Sequence, residues 1–243
     1  MTALKRNSRV CQTLTALASA TVLSMAASGA RADIMFNSSG LWTAFTGNPG
    51  FSTGLNTDQL GWGPAFPSGS TAIDDISSYV FEGIVGGMAS VDGSNFVIGD
   101  FTHNNFTIRR PSITGASLAV ELDFVADGVM PTFNFDFEHT ETPNNANPCA
   151  AGGTNPCPDL VSIPVTTAQE NVTLGETSYT LDIVGFSQDG GSTLTESFLT
   201  SESQANTAEL FGRLVEVTEV PAPATPLLIG GALLLLRGLR RRH

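Results

Sequence analysis

The sequence predicts an all-β fold, an antiparallel two-sheet sandwich of jelly-roll type, and three observations carry that expectation. Across residues 33–219, apolar residues alternate with polar ones in short runs instead of recurring at the three- and four-residue spacing of a helix. Clusters of Gly, Pro, Asn, Asp and Ser separate the runs, and these are the residue types that turns demand. Strands with one apolar and one polar face are what antiparallel sheets need when each packs on a core and leaves its other face to water.

In chain order, the first part of the body, residues 37–70, is rich in Gly, Pro, Ser and Thr and holds Trp42 and Trp62. Paired tryptophans beside loops can stack on sugars, but in a β-sandwich the core position is the favoured reading. The glycines flanking Trp62 point to an unusual backbone turn there. Strands are expected at 78–84, 95–102, 118–124, 133–138, 160–165, 178–186 and 210–217. The clearest is 133–138, where Phe133, Phe135 and Phe137 point one way while Asn134, Asp136 and Glu138 point the other.

Both ends read as targeting segments. Residues 1–32 carry Lys5, Arg6 and Arg9, then an apolar stretch, then Ala30-Arg31-Ala32, the pattern of a cleaved signal peptide. A retained membrane helix fits less well, because Gln12, Thr13, Thr15, Ser19, Thr21 and Ser24 dilute the run. Residues 220–243 combine a proline motif, a short apolar run expected to form a membrane-spanning helix, and a basic end. The body between them, 33–219, is about one domain in size.

Charge is divided as sharply as hydropathy. The chain's formal charge is −12, yet all 23 acids lie in the body against Arg109, Arg110 and Arg213, a net of −20 there. Such a surface repels phosphates, which argues against nucleic acid as a partner and against adhesion to anionic lipid. Carboxylates on turns could hold calcium: Asp92 with Ser94 and Asn95, Asp123 with Asp127, and Glu141 with Asn144 and Asp159. None has a diagnostic order, and no cofactor is expected.

Cys11 leaves with the first segment, so Cys149 and Cys157 remain as a pair in the irregular stretch 141–158. A disulfide closing a small surface loop is favoured over a metal site, because two cysteines fall short of a four-ligand zinc set.

Catalytic motifs are sought without success: there is no Gly-x-Ser-x-Gly, no His-Glu-x-x-His and no phosphate-binding glycine loop. The body's two histidines are His103 and His139, with Glu138 and Glu141 beside the latter. A carboxylate-oriented imidazole for acid–base work or a metal is the functional reading. The reading favoured is a loop-bonding His103 and a solvated His139 at a strand end. A glycosidase pair such as Glu121 with Glu138 depends on a separation that sequence does not reveal.

The tail resembles the PEP-CTERM sorting signal of Gram-negative bacteria: Val220, Pro221, Ala222 and Pro223, an apolar run to Leu236, and Arg237, Arg240, Arg241 and Arg242 as a cytoplasmic stop. The resemblance implies recognition and cleavage by an exosortase-type membrane protease. The body resembles the choice-of-anchor K group of surface proteins. That likeness rests on Leu60-Gly61-Trp62-Gly63, the stretch 97–105, Glu141-Thr142-Pro143-Asn144, Tyr179-Thr180-Leu181 with Gly185-Phe186, and the stretch 202–211. Together they imply an exported protein without catalysis of its own, held briefly at the inner membrane and released to the cell surface or an exopolysaccharide matrix. The alternative expectation is a carbohydrate-binding or glycoside-hydrolase domain using Trp42, Trp62 and surface carboxylates.

Overall fold

A computed structural model describes residues 33–109, 111–164 and 167–217. Among them, thirteen strands run β1 Ile34–Gly47, β2 Ser52–Thr53, β3 Gln59–Trp62, β4 Ser77–Gly83, β5 Gly87–Ala89, β6 Asn95–Asn105, β7 Ile113–Asp123, β8 Thr132–Thr140, β9 Asp159–Ser162, β10 Thr167–Leu174, β11 Thr177–Ser187, β12 Ser197–Thr200 and β13 Gln204–Glu216. They form two antiparallel sheets, ordered β12-β9-β8-β7-β1-β5 and β10-β11-β13-β6-β4-β3-β2. The expected strands are all present, most within a few residues of their expected ends.

The two-sheet arrangement holds, and the jelly-roll form is corrected: six and seven strands curl into a half-barrel sandwich in place of the eight strands of a double Greek key. The curl has a local cause in β1, the longest strand, whose register against β7 shifts between Trp42 and Ala44 and again between Thr46 and Gly47. Bulges of this kind bend a strand and increase its twist. Bent this way, β1 leaves its own sheet's plane and bonds to the other sheet's connections. Ser38 N donates to Ile84 O at 2.8 Å, Trp42 N to Thr57 O at 2.8 Å, and Asn56 N to Trp42 O at 2.7 Å. The Ser38 hydroxyl ties the same seam, donating to Ile98 O and accepting from Ile84 N. Gly40 is required here, because a Cβ would collide with the Phe81 ring of β4.

Between the sheets lies a core dominated by aromatics. Trp42, Trp62, Tyr79, Phe101, Phe133 and Phe186 are fully buried. Phe101 of β6 stacks on Phe137 of β8 with centroids 5.2 Å apart, so the two sheets meet ring to ring. The turn expected beside Trp62 is there: Gly63 has φ +67 and packs on Ile108.

The signal peptide expected at 1–32 and the hydrophobic helix expected within 220–243 lie outside the described residues, as do Val220, Pro221, Ala222, Pro223, Arg237, Arg240, Arg241 and Arg242. Among the described residues no helix is long and apolar enough to cross a membrane. The described chain thus supplies no element for the expected inner-membrane hold: it is β-sheet with a single three-residue 3-10 turn, Ile73–Asp75.

Candidate functional site

Period-two alternation carries two histidines into the core. On β8 the buried residues are Phe133, Phe135, Phe137 and then His139; on β6 they include Phe101, His103 and Asn105. A strand sends every second side chain to one face, so each histidine continues the aromatic row before it. The rows face each other across the sandwich, and the two imidazole rings lie 5.3 Å apart, edge to face.

Around them the groups are closely bonded. The Tyr79 hydroxyl lies 2.6 Å from His139 Nδ1, and His103 Nδ1 lies 2.9 Å from the Thr200 hydroxyl. Trp62 stacks on His103 and donates its indole N–H to Ser112 at 3.0 Å. Beyond Tyr79, His139 Nε2 lies 3.5 Å from a Glu141 carboxylate oxygen. Asp159, the first residue of β9 and wholly buried, accepts the Thr142 amide at 2.7 Å through Oδ1. Each of His139, Glu141 and Asp159 offers one atom to a group lying within 4.8 Å. A third carboxylate, Glu202 in the turn between β12 and β13, accepts from Asn144 at 2.7 Å and from Thr107 at 3.3 Å.

The acids repel one another with little water to screen them. Burial, then Glu141, pushes the Asp159 carboxyl up to about 7. Burial and Glu141 also raise Glu202. The Tyr79 hydroxyl is held well above its usual value, by burial first and then by Asp159 and Glu141. Burial, with His139 adding to it, holds His103 well below the usual imidazole value. The two described arginines are engaged elsewhere: Arg109 donates to Pro67 O at 2.8 Å, and Arg213 lies 3.5 Å from Asp182. Among the described residues, this corner therefore gathers negative charge and one imidazole with neither Arg109 nor Arg213 beside it.

Several expectations change against this geometry. His139 is not solvated; it is 5% exposed and bonded on its Nδ1 side. Glu138 points to the opposite face of β8, so the carboxylate beside the imidazole is Glu141. Trp42 and Trp62 take the core position and offer no stacking platform to a sugar, which removes the basis of the carbohydrate-binding alternative. Glu121 pairs with Thr132 and Glu138 with Gly115, so six residues of strand, about 20 Å, separate them. A glycosidase needs its carboxylates within about 10 Å, and this pair is excluded.

Of the three calcium groupings, Asp92 closes its own turn by accepting from Ser94 N and Ser90, and Asp127 accepts the Gly175 amide. Asn37 donates to Asp123. Only Glu141 and Asp159 converge, while Asn144 turns to Glu202. Cys149 and Cys157 form a disulfide within the excursion that separates these two acids. Sequence reasoning set Glu141 with Asp159 for calcium and, separately, with His139 for acid–base work or a metal, but favoured a solvated His139 and did not join the three; its place in the Phe133, Phe135, Phe137 alternation was the signal that would have brought it in.

No family model matches the chain, so that comparison lends no support to the expected sorting-signal motif or to its link with an exosortase-type protease. No curated protein matches it either. Neither comparison assigns a family or supports the exported, matrix-associated role, which leaves the corner formed by His139, Glu141 and Asp159 as the candidate site.

Proposed function

We propose that this chain is a non-catalytic β-domain, a preformed framework that acts by association instead of turnover. The observation that carries the reading is the sealing of its reactive groups. Tyr79, His103 and His139 are buried against Trp62 and bonded to each other or to Thr200. A general base must reach the proton it removes from a bound substrate. The Ser112 hydroxyl, on the depression beside His139, accepts the Trp62 indole N–H. The likeness of the body to choice-of-anchor K domains supports the same reading.

The full chain incubated with a panel of polysaccharides and activated esters, from pH 5 to 9, tests it. The expected result is no release of product beyond that of the Glu141→Gln and Asp159→Asn variants. Turnover present in the parent chain and abolished in either variant would overturn the proposal.

A further inference from the structure

His139 Nε2 and Asp159 Oδ2 are buried polar atoms without a hydrogen-bond partner, both in the corner where Glu141 brings its carboxylate. Such atoms are costly unless something answers them, and two carboxylates beside one imidazole ask for a cation. We propose that His139 Nε2, a carboxylate oxygen of Glu141 and Oδ2 of Asp159 are the ligands of one divalent cation of the zinc class.

The spacing fits. Four-coordinate zinc binds imidazole nitrogen and carboxylate oxygen at about 2.1 Å, which sets neighbouring ligand atoms about 3.4 Å apart. His139 Nε2 and Glu141 Oε2 already stand at 3.5 Å, and all three ligand atoms lie within 4.8 Å. The remaining closure falls on Glu141, just past the end of β8, and Asp159, at the start of β9.

The supporting bonds fit as well. A ligand imidazole needs its other nitrogen held, and the Tyr79 oxygen at 2.6 Å can accept from Nδ1–H, leaving the Nε2 lone pair for the ion. The Thr142 amide occupies Asp159 Oδ1 and so orients the carboxylate with Oδ2 left for the metal. A surface depression of about 580 Å³, lined by Ser112, Thr114 and Thr140 together with His139 and Glu141, borders the buried ligands and is the side from which the ion would enter.

The ligand set selects the class. Calcium takes six to eight oxygens, and magnesium keeps most of its water; a buried imidazole with two carboxylates suits neither. Two carboxylates also balance a divalent charge. The ion would bond the end of β8 to the start of β9, and it requires no turnover, so the site stands or falls separately from the non-catalytic reading.

Untagged, oxidised full chain, stripped with chelator, is titrated calorimetrically with Zn²⁺, Ca²⁺ and Mg²⁺, in parallel with Glu141→Gln and Asp159→Asn. The expected result is one zinc per chain, weaker calcium and magnesium, and a zinc affinity lowered about 10- to 100-fold or more in each variant. No zinc binding by the parent chain, tighter calcium than zinc, or unchanged affinity in both variants would overturn the site. Cobalt(II) added to the parent chain gives a readout that does not depend on a variant folding. An intense visible band of tetrahedral cobalt is expected, and the weak spectrum of aqueous octahedral cobalt would overturn the site.

Discussion

His103 shows how a single buried side chain sets a pH response. Its ring is fully buried, bonded through Nδ1 to Thr200 and stacked under Trp62 at 5.5 Å. Burial disfavours the imidazolium and His139 adds to the penalty, so the folded value lies well below the ordinary imidazole value of about 6.5. The unfolded chain takes up the proton near pH 6.5 while the folded chain refuses it. The stability this group contributes is therefore present above about pH 6.5 and is lost as pH falls toward the folded value, at up to about 1.4 kcal/mol per pH unit. Asp159 works in the opposite sense, since a raised carboxyl favours the fold at low pH and loses that contribution toward pH 7. Comparing His103→Gln with the parent chain isolates the histidine. In urea titrations between pH 8 and 5, the stability difference should narrow as pH falls below 6.5, and a difference independent of pH would refute this account. The inward placement of both histidines was readable in the sequence, because alternation is a rule of adjacent residues; their mutual approach was not.

At the scale of elements, the excursion between β8 and β9 is the part whose form depends on a covalent tie. Cys149 and Cys157 close a small loop at a sequence separation of 8. The Thr142 hydroxyl donates to the carbonyls of Cys157 and Pro158 and so fixes the chain that delivers Asp159. Closing a loop of this length restricts the unfolded chain by about 2–3 kcal/mol. Replacing both cysteines by serine should lower stability by about that amount in denaturant melts, and it should also weaken zinc binding. The seam made by β1 offers a second test. Ser38→Ala removes a donor to Ile98 O and an acceptor for Ile84 N, and should cost about 1–3 kcal/mol. β1 itself was hidden in the sequence. Its Ser-Ser-Gly centre and two register shifts break the alternation that reveals β8, and the strand exists because β5, β7 and the opposite seam supply partners.

Across the whole molecule, the body's excess of acid is partly written into the sheet register. Glu82, Asp100 and Glu209 lie abreast on β4, β6 and β13, on the outer side of the seven-stranded sheet. Adjacent strands are about 4.8 Å apart, and like charges directly opposite one another destabilise a sheet. Burial and then Glu82 raise the Asp100 carboxyl accordingly. Asp100→Asn should therefore stabilise the domain at neutral pH by a few tenths of a kcal/mol up to about 1 kcal/mol. The gain should shrink as salt rises toward about 1 M, where the screening length is about 3 Å. A gain unaffected by salt would remove charge repulsion as its cause. The sequence by itself determined the all-β class, most strands, the Phe133, Phe135 and Phe137 face of β8, and the cysteine pair, because each follows from a two-residue period, a turn composition or a count. Only the tertiary structure decided which strands pair, that β1 bends the sheets into a half-barrel, and that His139, Glu141 and Asp159 share a corner. Those outcomes depend on hydrogen-bond partners far apart in the chain, as when residues 20 positions distant meet across a disulfide-closed excursion, and no local pattern of residues encodes them.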